Sequence, residues 1–157
     1  MQIPPKITVQ PSIETGRLEI KPFELADAPY VQKLAGNPNV SKPTLNMPYT
    51  YEDGIAEQWI ASHSKHWQAR TSAAFAIKLK ANGQLIGNIS LVAINGDQAE
   101  LGYWLGEPFW NQGYGSEAAT ALVQMAGTAM GIRTVIAEHL QSNPASGRLM
   151  QKIGMSY

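Results

Sequence analysis

The stretch AELGYWLGEPFWNQGYGSEA, residues 99–118, decides the fold of this chain. Its first half alternates between apolar and polar residues, which predicts a half-buried strand. Gly113 and Gly115 then flank a tyrosine directly before an alanine-rich apolar run, which predicts a helix from Ser116 to about Met130. A glycine turn between a strand and a helix exposes unpaired backbone amides at the positive end of the helix dipole. These residues indicate either an anion site or simply a tight turn.

The glycine loop matches neither of the two common nucleotide motifs. No Lys-Ser/Thr pair follows Gly115, so the loop is not a P-loop, and the third glycine of the dinucleotide fingerprint is missing. The hydroxyl of Ser116 is expected either to cap the helix or to donate to an anion.

Turn signals and periodicity around this loop predict an α+β domain with the element order β-α-α-β-β-β-α-β-α. Asn82-Gly83 and Asn95-Gly96-Asp97 separate three strand-like runs, which predicts an antiparallel meander. Thr50 and Asp53 are predicted to form a capping box before the second helix. The predicted helices cover about 25–35, 51–69, 116–130 and 144–153, and the predicted strands cover about 17–21, 75–79, 85–92, 98–105 and 134–140.

Composition limits the kinds of partner. The 157 residues include 44% hydrophobic residues, enough for one domain with a substantial core. Lys and Arg total 12 and Asp and Glu total 12, so no net field attracts nucleic acid or an anionic membrane. There is no cysteine, and the start of the chain has neither the charge nor the apolar core of a signal peptide, so we expect a cytoplasmic protein.

The histidines give no metal pattern. His63 and His66 are spaced to share a helix face, but no carboxylate stands beside them as a third ligand. We expect both to be solvated helix residues and predict no metal site.

Four stretches in order resemble the GNAT superfamily of acetyl-CoA-dependent N-acetyltransferases, and specifically its RimJ/RimL-like branch. The 99–118 stretch resembles motif A, and HLQSNPASGRLMQKIGM (139–155) resembles motif B. ETGRLEIKPFELADA (14–28) resembles the opening strand and helix of this branch, and PYTYEDGIAEQWI (48–60) its second helix. The resemblance covers about residues 13–157. It implies a single GNAT domain after an extended N-terminal arm (1–12), with a mostly antiparallel twisted sheet, a splayed parallel strand pair and about four helices.

The same resemblance implies how acetyl-CoA is held. The amides of five loop residues would bind its pyrophosphate, and the backbone at the end of the preceding strand would bind the pantetheine amides, with one N–H polarising the thioester carbonyl. Trp110 replaces the Gln or Arg of the wider superfamily, so phosphate binding would depend mainly on backbone amides. The loop residues are Gln112, Gly113, Tyr114, Gly115 and Ser116, and the strand residues are Tyr103, Trp104 and Leu105.

Glu100 is the candidate general base, since many relatives have an acid at this position and an amine must be unprotonated to attack. Strand alternation places Glu100 on the side of Trp104, where partial desolvation would suit a base. A strand-end carboxylate that faces solvent or binds a cation of the substrate is the alternative.

The motif B segment departs from the usual pattern. Many superfamily members have a tyrosine acid seven residues after the motif B asparagine, and here that position is Met150. Ser146 is then the candidate general acid, and Asn143 the candidate contact to pantetheine. A helix start in which Asn143 is the N-cap explains the same residues. An acyl-CoA-binding module with little or no catalysis is therefore an alternative to the enzyme.

The resemblance also implies an amine acceptor, either a protein N-terminus or a small molecule, lined by residues 37–50 and by Trp59 and Trp67. The family normally has a further strand pair after Tyr157. We therefore expect either a truncated form or a homodimer in which another subunit completes the sheet edge.

Overall fold

Six strands form one sheet, and their order across the sheet follows their order in the chain. The structure is a computed structural model, and it describes residues 10–35 and 54–137. The strands are β1 (Ile13–Glu14), β2 (Leu18–Pro22), β3 (Ala73–Leu79), β4 (Leu85–Asn95), β5 (Gln98–Leu105) and β6 (Thr134–Ala137). The helices are α1 (Ala28–Ala35), α2 (Ile55–Gln68) and α3 (Tyr114–Ala129), with 3₁₀ turns at Leu25–Asp27 and Glu107–Phe109.

The strand directions confirm the prediction of an antiparallel meander followed by a parallel pair. Neighbouring strands from β1 to β5 are antiparallel, and β5 pairs with β6 in parallel through the crossover helix α3. Gly83 (φ 73°) and Gly96 (φ 63°) form the two hairpin turns, where positive φ favours glycine. The sequence signals at both turns were therefore correct.

Helices cover both faces of the sheet, so β3 is buried along almost its whole length. On one face, small residues of α3, among them Ala118, Ala119 and Ala126, let the helix approach the strands closely. On the other face, α1 and α2 pack over Trp104 of β5 and Ala76 of β3. These two faces are called below the α3 face and the α1/α2 face.

An ion pair is buried at the start of α1. Lys78 of β3 lies 2.9 Å from the carboxylate of Asp27, and both side chains are about nine-tenths covered. The same carboxylate accepts the backbone amide of Glu24 at 2.8 Å and so caps the 3₁₀ turn. The pair fixes the position of α1 on the sheet. It is costly to break, because removal of one partner leaves the other charge buried and unpaired.

Both α2 and α3 begin after a glycine N-cap. α3 begins at Tyr114, two residues before the predicted start, because Gly113 is the N-cap. α2 begins at Ile55 with Gly54 as its N-cap, whereas Thr50 and Asp53 lie outside the described residues. The predicted helix at 144–153, most of the N-terminal arm and the end of the chain also lie outside them. The three α-helices of the described ranges agree with the first three predicted helices.

Candidate active site

The structure describes the parallel pair along the first half of β5. Pairing between β5 and β6 runs from Gln98 and Thr134 to Leu101 and Ala137, which is the last β6 residue that the structure describes. β5 itself continues to Leu105 beside β4. Any opening of this strand pair falls beyond the described part of β6 and stays a prediction from the sequence.

Alternation along β5 decides which backbone groups face the β6 side. The amide of Gly106 donates to the carbonyl of Ile86 on β4 at 2.8 Å. Because bonded and non-bonded pairs alternate in an antiparallel ladder, the backbone of Trp104 is also directed toward β4, whereas that of Tyr103 and Leu105 is directed toward β6. This alternation favours Tyr103 and Leu105 over Trp104 as backbone contacts for pantetheine, and the contacts of all three residues stay predictions.

The chain between β5 and α3 is held by its own side chains. The indole Nε1 of Trp110 donates to the carbonyl of Leu105 at 2.8 Å, and the Gln112 side chain donates to the carbonyl of Pro108 at 2.9 Å. Trp110 thus closes the turn at the place where the wider superfamily has Gln or Arg. This contact also engages the Leu105 carbonyl.

The helix start at Gly113 has the features of an anion site. Gly113 adopts φ 83°, in the left-handed region, and no side chain caps α3. The amides of Gly113, Tyr114, Gly115 and Ser116 precede the first intrahelical bonds, and none has an acceptor among the described residues. Ser116 is the third residue of the helix, so of the two expected roles of its hydroxyl it does not act as the N-cap, and donation to an anion stays a prediction. Four amides at the positive end of a 16-residue helix suit a phosphate.

Two residues at this loop were not predicted from the sequence. Arg17, in the bend between β1 and β2, forms an ion pair with Glu117 in the first turn of α3, with Nε 2.8 Å from Oε1. Burial by itself would raise the pKa of Glu117, but hydrogen bonds from the Thr15 hydroxyl and from the Arg17 amide and guanidinium, with the charge of Arg17, lower it. The acidic residue is thus held ionised. The only sequence signal was a pair of opposite charges within two stretches that both resemble the family.

Glu100 lies on the α1/α2 face, as the alternation predicted. It is half-buried in mid-sheet, opposite Val92 of β4 and Ile136 of β6. Two residues further along the same face is Gly102, and no atom of the described residues lies within 4 Å of the position that a Cβ there would occupy. The carboxylate therefore lies beside a position of β5 that no described residue covers closely.

Two buried polar residues of β4 lie on this same face of the sheet, and they too were not predicted from the sequence. Ser90 pairs with Gly102 and Asn88 pairs with Trp104, and both side chains are about 95% buried. The Ser90 hydroxyl donates to Oδ1 of Asn88 at 2.9 Å. Their alternation with Gly87, Ile89 and Leu91 was the available signal, because polar residues in a buried strand need partners. A Cβ on Gly87 would collide with the Trp104 carbonyl, so β4 and β5 approach closely here.

The aromatic residues of α2 differ from expectation in two ways. Trp59 packs on the α1/α2 face, but Trp67 is 95% buried in the larger core cluster, so it does not line a site there. His63 is not solvated either. Its ring contacts Phe23 and Trp59, with centroids 5.4 and 4.4 Å away, and neither ring nitrogen has a hydrogen-bond partner among the described residues. Burial first, and then the nearby charge of His66, lower the pKa of His63 to about 4.

The remaining candidates lie outside the described residues, namely Asn143, Ser146 and Met150. Within residues 10–35 and 54–137, no three His, Cys, Asp or Glu side chains gather as metal ligands would. None of the helices in those ranges combines the length and apolar character needed to cross a membrane.

Comparison with known proteins agrees with the fold. A family model described as acetyltransferase (GNAT) domain matches residues 17–156. The uncharacterized N-acetyltransferase YnaD of Bacillus subtilis is 32% identical over 144 residues, 91% of this chain and 81% of the relative. A GNAT-family acetyltransferase from Bacillus anthracis superposes with a TM-score of 0.81 at 26% identity, over 92% of this chain and 83% of that one. RimL, a ribosomal L7/L12 alpha-N-protein acetyltransferase in complex with coenzyme A, superposes with a TM-score of 0.83 at 21% identity, over the same shares.

The parallel strand pair joined by α3, the uncapped start of that helix and the matching family model together define the class of protein. The chain belongs to the GNAT acetyltransferase family and is an N-acetyltransferase. The GNAT fold expected from the sequence is confirmed.

Proposed function

We propose that this protein transfers the acetyl group of acetyl-CoA to a primary amine by direct attack within a ternary complex. The observation that carries the proposal is the start of α3, the helix that follows β5, where four amides have no acceptor among the described residues. The amides of Gly113 to Ser116, continued by that of Gln112, would bind the pyrophosphate. The edge of β5 that faces β6 would bind the pantetheine arm.

The acceptor would approach from the α1/α2 face. Glu100 projects there beside Gly102, and we assign it the role of general base, which takes the proton of the attacking amine directly or through water. An amide on the β6 edge of β5 would stabilise the charge on the thioester oxygen in the transition state. We keep Asn143 as the pantetheine contact and Ser146 as the acid that protonates the leaving thiolate, on the resemblance to the RimJ/RimL-like branch.

The structural likeness to RimL supports an acceptor of the same class, the amino group of a protein N-terminus, and a small amine is the other candidate. The structure of RimL contains coenzyme A, which supports acetyl-CoA as the donor here. Homodimer formation and a cytoplasmic location remain predictions from the sequence.

Thiol release during turnover tests the proposal. The chain has no cysteine, so a thiol reagent detects only the coenzyme A that is released. We expect amine-dependent thiol release with a panel of peptides and small amines, and its loss in Glu100→Gln. Saturable acetyl-CoA binding without turnover of any amine would instead favour the acyl-CoA-binding module.

A further inference from the structure

Arg17 contacts the loop before α3 at three consecutive residues. Its Nη1 donates to the carbonyl of Gln112 at 3.0 Å, and its Cζ lies 4.3 Å from the centroid of the Tyr114 ring. Gly113 lies between these two residues in the chain, and a Cβ placed on it would lie only 3.3 Å from Nη2 of Arg17. A planar guanidinium makes such contacts simultaneously, whereas the ammonium of a lysine cannot. Arg17 therefore supports the backbone conformation in which Gly113 has positive φ.

The charge of Glu117 gives its contact with Arg17 an electrostatic role at the start of α3. Its carboxylate lies in the first turn of α3, four residues after Gly113, and only 21% of the side chain is exposed. A negative charge there is favourable for the helix dipole, but it repels any anion bound at the same helix start. Because Arg17 lies 2.8 Å from that carboxylate, the charge is neutralised next to the amides.

The two side chains contribute differently to folding. Glu117 also accepts the Thr15 hydroxyl and, at 3.0 Å, the backbone amide of Arg17, so it holds the β1–β2 bend without the guanidinium. The Arg17 side chain is 46% exposed, and exposed ion pairs contribute little to stability. Loss of the guanidinium should therefore alter the loop and its charge while the fold remains.

We propose that Arg17 is a positioning residue for the pyrophosphate of the acyl donor. It fixes the backbone of residues 112–114 and neutralises Glu117, so that the amides at the helix start receive a diphosphate without repulsion. This inference rests on the proposed function, because it assumes that acetyl-CoA binds at this helix start. It restricts the role of Arg17 to the phosphate-bearing part of the donor.

The test compares two acetyl donors, acetyl-CoA and S-acetylpantetheine, which share the pantetheine arm while the second lacks every phosphate. Calorimetry gives the Kd of each donor for the wild type, Arg17→Gln, Arg17→Lys, Glu117→Gln and the double variant. Lys21→Gln is the matched control, since it removes one positive charge from a partly exposed ion pair with Glu19 that does not contact the loop. Thermal melting of every variant verifies folding.

Arg17→Gln should weaken acetyl-CoA binding at least about tenfold and S-acetylpantetheine binding less than about threefold. Arg17→Lys should lie between Arg17→Gln and the wild type, because it restores the charge without the planar contacts. The double variant should bind acetyl-CoA more tightly than Arg17→Gln alone, since it no longer carries an uncompensated carboxylate. With an active amine, the KM for acetyl-CoA should rise while kcat changes little.

Two results would overturn the inference without affecting the proposed function. One is equal acetyl-CoA affinity of Arg17→Gln and the wild type, and the other is an equal loss with both donors. A wild-type protein that binds neither donor would overturn the proposed function and this inference together. If Arg17→Gln melts well below the Lys21→Gln control, Arg17→Lys replaces it and the same comparison of donors decides.

Discussion

His63 makes the stability of this protein sensitive to acid. Its ring is enclosed by Phe23 and Trp59, and burial, then the charge of His66, lower its pKa from 6.5 to about 4. The unfolded chain therefore binds a proton more readily than the folded one between these two values. The stabilising contribution of neutral His63 is complete above the unfolded pKa and is lost progressively as the pH falls toward about 4.

The magnitude follows from the two pKa values. When the pH falls from about 7.5 to about 5, these two pKa values correspond to a loss of about 2 kcal/mol in the free energy of unfolding. Partial solvent access to the ring reduces this, so we expect about 1–2 kcal/mol. Because neither ring nitrogen has a hydrogen-bond partner in the part of the chain that the structure describes, His63→Phe should leave stability at about pH 7.5 unchanged or raise it by about 1 kcal/mol.

Urea unfolding at both pH values, for wild type, His63→Phe and His66→Gln, measures this effect. The loss of stability on acidification should be about 1–2 kcal/mol smaller in His63→Phe than in the wild type. His66→Gln should retain most of the loss, because burial is the larger cause of the shift. Glu117, whose pKa is lowered, also loses stabilisation in acid, but equally in all three proteins. The same pH dependence in His63→Phe and wild type would refute the reasoning.

Three further substitutions test the fold, the loop and the chemistry. Lys78→Met leaves the buried Asp27 carboxylate unpaired and should lower the free energy of unfolding in urea by about 3–5 kcal/mol. The control Lys80→Met breaks an exposed ion pair and should cost less than about 1 kcal/mol. Similar losses in the two variants would contradict the role of the buried pair. Gly113→Ala should weaken acetyl-CoA binding at least about tenfold, whereas Gly83→Ala, also at positive φ, should leave the Kd unchanged in calorimetry. Glu100→Gln should lower kcat by about 10²–10⁴-fold with little change in the KM for acetyl-CoA, and an unchanged kcat would exclude it as the base.

Local signals predicted the sheet well. The Asn-Gly turns and the alternation in β3, β4 and β5 depend on neighbouring residues only, so they identified the meander correctly. The glycine loop likewise predicted a helix with an exposed start, although the N-cap is Gly113 rather than Ser116. A glycine in the left-handed conformation can end the turn without any capping side chain.

Contacts between distant residues could not be predicted. Arg17 and Glu117 are 100 residues apart in the chain. They meet because α3 packs against β1 and β2, the two strands on either side of the bend that contains Arg17. His63 was expected to be a solvated helix residue, as histidines commonly are, but the face that α2 buries depends on where Phe23 lies. Trp67 was misplaced for a similar reason, since helical spacing does not reveal which cluster the end of a helix joins.

Calorimetric titration with acetyl-CoA, with ATP and NAD as controls, tests the central claim most directly. The account predicts saturable binding of acetyl-CoA to the wild-type protein and a much weaker affinity in Gly113→Ala, with no comparable binding of either control nucleotide. Absence of acetyl-CoA binding to the wild-type protein would contradict the assignment of the α3 helix start to a pyrophosphate. Equal binding of acetyl-CoA and ATP would contradict the role of the β5 edge in holding the pantetheine arm.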